Sequence, residues 1–365
     1  MVRKYLFRLL VVLVASALAE DTLAVVPTPT VGHWRFDDGA GSIATDFING
    51  NDGVWDGGTG NNVWAAGIIG GGSQTNDENG GNGQEHFTIP SLSQLNGASG
   101  LTISIWFNQN VTDNNNSTYN ALFMTRFMET SFGGGGENWG VALENNSAPR
   151  HIDWRVDGVS GGEFDLISGD PGWHHVAFTW DGTIGQRAIF LDGTELERVS
   201  AQTGTIINGG SWDIGNDTCC GNREFTGTLD DLAVWDTALP ASTITEIYFN
   251  GLSGVNASSE NPPLRGDVDL DGDVDFDETD NDGISDLDII QANFDMFTTG
   301  AFRTDGDLTA DGVVNFDDLV EWRRGFVLNG GNLEALANRV PEPNACLIMI
   351  CSGLLALSRA SRSRH

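Results

Sequence analysis

Leu101-Thr102-Ile103-Ser104-Ile105-Trp106-Phe107 decides the class of fold. Leu101, Ile103, Ile105 and Phe107 recur with period two, which puts four large apolar side chains on one face of an extended strand. The same character returns in His175-Val176-Ala177-Phe178-Thr179-Trp180, in Ala188-Ile189-Phe190-Leu191 and from Leu229 to Trp235, each run bounded by Gly, Asn or Asp. Asp181-Gly182 and Asp192-Gly193 stand where one run stops and another begins, and read as turns. Many short strands punctuated in this way predict an antiparallel sandwich over residues 31–250. One short helix is expected at 241–249, where Pro240 precedes an Ile/Ile/Tyr stripe, and the Gly-rich stretches 70–83 and 133–136 read as long loops.

Beyond a Ser/Asn/Pro-rich linker at 251–265, the composition changes abruptly. No basic residue occurs between Asp267 and Asp288, and carboxylates fall at almost every second position. Asp267, Asp269, Asp271, Asp275 and Glu278 occupy positions 1, 3, 5, 9 and 12 of a twelve-residue loop, with Gly272 at 6 and the main-chain carbonyl of Asp273 at 7. That is the EF-hand spacing for Ca2+: oxygen donors at alternate positions, a sharp turn at glycine and a closing carboxylate. A second copy runs through Asp307, Thr309, Asp311, Val313 (by its carbonyl), Asn315 and Asp318, and its weak Thr309 and shorter Asp318 predict a lower affinity. A helix is expected after each loop, at 287–294 and 319–326. Between the first loop and its helix, Asp280, Asp282 and Asp286 belong to an insertion that offers a further ion site or shifts the first loop.

Several spaced motifs carry a resemblance. Trp34-Arg35-Phe36-Asp37-Asp38-Gly39-Ala40-Gly41, Asn49-Gly50-Asn51-Asp52-Gly53, Gly172-Trp173-His174-His175-Val176-Ala177 and Phe190-Leu191-Asp192-Gly193 occur in order. Phe225-Thr226-Gly227-Thr228-Leu229-Asp230-Asp231-Leu232-Ala233-Val234-Trp235 closes the series. Together they resemble the LamG-like jelly-roll family, which implies the concanavalin A-like lectin/glucanase fold. The resemblance also implies one structural Ca2+ where the first segment meets the last strand, with Asp37 and Asp230 as its acidic ligands and Asn51 as a weaker one. The paired acidic loops resemble the type I dockerin, which implies a cohesin-like partner, and the inserted segment resembles a thrombospondin type 3 calcium repeat. The fold class expected for the whole is therefore mainly β: a two-sheet antiparallel jelly-roll sandwich, then a small α-helical calcium-loop module at 266–328.

The two ends read as targeting segments. Arg3, Lys4 and Arg8 precede an apolar run and Ala17-Leu18-Ala19, the order of a secretory signal peptide at 1–19, with cleavage after 24 as the alternative. After a linker at 329–339, Val340-Pro341-Glu342-Pro343 leads into apolar 345–357 and then Arg359, Arg362 and Arg364. This ending resembles the PEP-CTERM sorting signal, which implies a sorting enzyme as partner and a cell-surface or extracellular-matrix destination after transient anchoring.

A net charge of −33 repels phosphate backbones and so argues against nucleic acid as a partner. The paired carboxylates of a glycosidase are not found: Glu163-Phe164-Asp165 and Glu195-Leu196-Glu197 come nearest, and each lacks a third acid at suitable spacing. A non-catalytic protein that recognises a polysaccharide or glycoprotein is the leading expectation, and a polysaccharide-degrading enzyme or its subunit the rival. Trp55, Trp64, Trp139, Trp154 and Trp212 lie beside Gly/Asn loops and are candidates for stacking on sugar rings. Adjacent Cys219 and Cys220 read as unpaired loop thiols, and His174 and His175, facing opposite sides of a strand, as packing residues.

Overall fold

A computed structural model describes residues 25–56, 63–75, 86–109, 119–130, 137–144, 150–156, 159–160, 164–166, 172–208, 210–217, 223–258, 264–270, 273–276, 285–294, 301, 303–309 and 312–333. The chain divides into two compact units, one spanning Leu23–Pro262 and the other containing Pro263–His365.

The first unit is an antiparallel sandwich. One sheet places, in spatial order, β15 (Thr194–Ser200), β14 (Gln186–Leu191), β13 (His174–Asp181), β7 (Gly100–Gln109), β18 (Gly227–Trp235), β5 (Gly71–Thr75) and β4 (Val63–Ala66), and β1 (Gly32–Trp34) also pairs with β18. The other runs β11 (Val159–Ser160), β10 (Arg150–Val156), β9 (Glu137–Glu144), β8 (Tyr119–Thr130), β17 (Trp212–Ile214), β6 (Phe87–Ile89), β3 (Gly53–Trp55) and β2 (Ile43–Ala44). In that sheet β12 (Phe164–Leu166) joins β10, and β16 (Ile206–Asn208) joins β8. The period-two reading holds side chain by side chain. Val176, Phe178 and Trp180 point between the sheets with Ile103, Ile105, Trp139, Trp154 and Trp212, all within 2 % of full burial. The β14–β15 turn is the two-residue kind: Asp192 and Gly193 take φ of 48° and 71°, the left-handed pair that matches strand twist.

On the outer face of the first sheet, Ala177, Ala188 and Ala233 leave room for α1 (Ala241–Leu252), which seats Ile244 and Ile247 there. Pro240 starts α1 at its N-cap, and the helix runs three residues beyond the expected 249. Contact is close enough that a Cβ on Gly251 would lie 2.5 Å from the Trp106 ring. Trp106 also stacks on Tyr248 at 5.5 Å and packs 5.1 Å from His175. His175 is wholly buried with Nε2 2.7 Å from Ser104 Oγ, and burial pushes its pKa down to about 4. His174 faces the other way and meets Asp192 at 2.9 Å.

The arrangement around β18 could not be read from sequence. One edge of β18 pairs with β7, whereas the other is shared: β5 takes Gly227–Leu229 and β1 takes Leu232–Val234. Asp230 and Asp231 fall in the gap, at a register shift, with Asp231 at φ 44°.

In the second unit, α2 (Asp286–Asn293) and α3 (Phe316–Leu328) pack over Val268, Val274, Leu308 and Val314. Among the described residues, no helix is long and apolar enough to cross a membrane.

Candidate metal centre

The second loop keeps the sequence spacing. Asp318 sits in the first turn of α3, and its Oδ1 accepts the N–H groups of Leu308 and Thr309, both at 2.9 Å, while Oδ2 accepts that of Asn315 at 2.7 Å. Asn315 caps the helix by accepting the Asp317 N–H at 2.8 Å. Asp307 accepts the Gly312 N–H at 2.7 Å, and Thr309 Oγ1 donates to Asp318 at 2.9 Å. Gly312, at φ 79°, supplies the left-handed turn. Val313 follows it in the same loop.

The first loop reproduces this pattern with a different closing residue. Asp286 Oδ1 accepts from the Val268 and Asp269 N–H groups and Oδ2 from that of Asp275 at 2.8 Å. These are loop positions 2, 3 and 9, the same three that converge on Asp318. The amide bonds that Asp318 makes in the second loop are made in the first by Asp286, as in the shifted-loop alternative, and eight further residues separate Asp286 from Asp275 than separate Asp318 from Asn315. The helices agree, because matching Asp286 to Asp318 also matches Leu287 to Leu319 and Ile290 to Trp322, all in one core. That apolar register was the signal available in the sequence. Asp271, Glu278, Asp280, Asp282 and Asp311 lie outside the described residues.

Two groups of carboxylates meet in the first loop. Asp267, Asp269 and Asp286 form one and Asp273, Asp275 and Asp286 the other, each with one oxygen per residue inside a 4.8 Å cluster. Asp273 thus brings its side chain to the cluster, beyond the main-chain carbonyl expected of it. Burial raises the Asp286 pKa to about 7, with the charges of Asp269 and Asp267 adding to the rise against the bonds from Asp275 and Val268. A cation here would be met by hard oxygen donors alone, the donor set that suits Ca2+ or Mg2+ rather than a thiophilic metal.

A second acidic meeting point lies in the sandwich. The turn between β4 and β5 closes with the Gly67 N–H on the Gly70 carbonyl at 3.0 Å. Asp230 Oδ2 accepts the Ile69 N–H at 2.9 Å and Asp37 Oδ1 accepts that of Gly71 at 2.6 Å, so both expected acids converge on one turn. A Cβ on Gly67 would fall 2.2 Å from Asp230 Oδ2, and one on Gly70 2.5 Å from Asp37 Oδ1; only glycine permits the approach. Burial lifts the Asp230 pKa to about 8, and the charges of Asp231 and Asp37 contribute to the lift. Asn51 is engaged elsewhere, with its N–H and side chain on Asp46.

Residues 79–245 match the family described as Laminin_G_3, concanavalin A-like lectin/glucanases superfamily. They form a concanavalin A-like jelly-roll domain. No curated protein matches the chain. Among solved structures, domain 4 of AbnA, a GH43 extracellular arabinanase from Geobacillus stearothermophilus in complex with arabinotriose, is similar at 18 % identity and TM-score 0.40, over 60 % of this chain and 98 % of that one. The heptameric SAP-like pentraxin of Limulus polyphemus is similar at 18 % identity and TM-score 0.38, over 50 % and 84 %. Trypanosoma rangeli sialidase in complex with sialic acid is similar at 15 % identity and TM-score 0.45, over 68 % and 38 %.

The jelly-roll domain divides the five tryptophan candidates. Trp139, Trp154 and Trp212 have no exposed surface, so none offers a ring face to a sugar. The reason is strand parity: Trp212 and Ile214 share the inward face of β17, as Trp139, Val141 and Leu143 share that of β9. Trp55 and Trp64 remain partly exposed, and each packs against Phe87, at 5.0 and 6.0 Å between ring centres. Of the nearest carboxylate runs in the jelly-roll domain, Glu195 is paired with Arg198 at 2.6 Å on the surface strand β15.

Proposed function

We propose that this is an exported, calcium-dependent modular protein, in which the jelly-roll domain recognises carbohydrate and the C-terminal loop pair, folded around Ca2+, joins it to an assembly. The observation that carries the calcium reading is the repeated geometry of Asp286 and Asp318, each gathering the amides of loop positions 2, 3 and 9. Such a frame fixes the loop and turns Asp267, Asp269, Asp273 and Asp275, or Asp307 and Thr309, into a closed set of oxygen donors. Asp37 and Asp230 would hold a further Ca2+ that ties the start of the jelly-roll domain to its last strand. The basic and apolar segment 1–19 and the Pro-Glu-Pro tail support export followed by sorting at the cell surface. Trp55 and Trp64 are the aromatic residues placed to meet a sugar ring.

Calorimetric titration of the full chain with CaCl2, followed by a glycan array with and without EDTA, tests both halves of the reading. Saturable calcium uptake and EDTA-sensitive glycan binding without release of reducing ends are the expected outcomes. No calcium uptake would refute the first half; release of reducing ends would replace recognition by hydrolysis.

A further inference from the structure

We infer that α1 is an acid-opened lid: protonation of His175 unseats the helix from the first sheet while the strands beneath it stay paired. His175 has no exposed surface and stands on the outer face of β13, under the second half of α1, with the Tyr248 ring 6.1 Å from its own. Its Nε2 lies 2.7 Å from Ser104 Oγ, but Nδ1 has no hydrogen-bond partner. Trp106, packed 5.1 Å away and also fully buried, leaves its indole N–H unpaired as well. Two polar nitrogens are thus sealed beneath the helix, and water reaches them only when the helix leaves.

α1 is weakly held. Pro240 at its N-cap makes no side-chain bond, the first turn carries no acid and the last turn no base, so charge meets neither end of the helix dipole. A helix of 12 residues is marginal alone, and the floor on which Ile244 and Ile247 rest is lined by the methyls of Ala177, Ala188 and Ala233. The chain on either side is fixed. Thr102 Oγ1 accepts the Leu239 N–H at 2.9 Å before α1, and Asp231 Oδ2 accepts that of Ala257 at 3.1 Å after it. Between those ties the helix can lift once the Thr245 Oγ1 bond to the Gly193 carbonyl, at 2.8 Å, is given up.

A proton on Nδ1 would place a charge, and a donor without an acceptor, under the closed helix. Asp192, whose Oδ1 accepts the His175 N–H at 2.9 Å, and Asp231 on β18 both attract that proton. His174 faces the other way against Asp192, and the titratable residues of α1 itself are Glu246 and Tyr248. Burial outweighs the two aspartates and pushes the His175 pKa down to about 4. In the open form water solvates the imidazole and its ordinary value of 6.5 returns, so the closed lid is fully favoured above pH 6.5 and loses ground as pH falls toward 4. Opening bares Phe190 and Trp235, apolar surface that the neutral molecule hides.

The test is hydrogen–deuterium exchange of the full chain at pH 7 and pH 5, read by mass spectrometry and corrected for the intrinsic dependence of exchange on pH. Peptides covering 241–252 should open about 20-fold more often at pH 5, the ratio that values of 6.5 and 4 set, and should exchange fully while β7 and β13 are still protected. His175→Gln, which offers Ser104 a partner and takes up no proton, should remove the pH dependence of α1. Equal protection of α1 at both pH values in the native chain would overturn the lid, as would α1 and β13 exchanging together. So would a His175→Gln chain that keeps the native ratio.

Discussion

The two units of this chain stabilise themselves by opposite means. The jelly-roll domain buries tryptophan and phenylalanine between sheets whose backbone groups satisfy one another along antiparallel ladders. The loop unit has a small core, Val268, Val274, Leu287, Ile290, Leu319 and Trp322 among its members, and its loop amides end on aspartate side chains instead of on a ladder. Apolar burial needs nothing from solution. Carboxylates gathered within 4.8 Å repel one another and offer oxygen donors that could hold a metal ion, so on the calcium reading proposed above the difference teaches where this molecule depends on its surroundings.

Removing the cation should break the comparison most strongly. Scanning calorimetry of the full chain should show two transitions, and EDTA should destabilise that of the loop unit by about 5 kcal/mol, the linkage expected of two sites each at about a hundred times its Kd. A Trp322→Ala variant should cost the same transition about 3–5 kcal/mol and leave the jelly-roll transition in place. Gly251→Ala acts only on the jelly-roll domain: its Cβ would press into the Trp106 ring beneath α1, at about 1–3 kcal/mol by chemical denaturation. The smallest effect sharpens the contrast by pH. His175 has a folded pKa lowered to about 4 from 6.5, so the unfolded chain binds the extra proton between those values. Jelly-roll stability is thus complete above about pH 6.5 and falls as pH drops toward 4, by about 1 kcal/mol between pH 7 and 5.5. His175→Gln should flatten that slope while the loop unit's response stays unchanged.

Most of the strand pattern was legible because period two survives in Leu101–Phe107 and His175–Trp180, and the Asp192-Gly193 turn because few pairs tolerate two positive φ values. The convergence of Asp37 and Asp230 came only through resemblance, since the register gap in β18 that creates it leaves no local mark. Asp286 was a candidate from the sequence, but whether it served a further site or a shifted first loop stayed open for a physical reason: linear spacing fails once residues are inserted between positions 9 and 12. The apolar match of Leu287 and Ile290 to Leu319 and Trp322 preserves the register that spacing lost. Trp139, Trp154 and Trp212 were judged by neighbouring glycines, although the alternation within their own strands already pointed them inward.

Pairing of β1 with β18, Gly32 against Val234, brings the entry and exit of the jelly-roll domain to one corner, where the Trp235 indole also donates to the Pro27 carbonyl at 2.8 Å. Tension applied along the polypeptide reaches that short antiparallel seam only after α1 is pulled from the sheet, and the seam's bonds then open in succession instead of all at once. The same corner lets the ends be spliced and the chain reopened elsewhere, and the exposed turn at Ile184 is the natural cut for such a circular permutant.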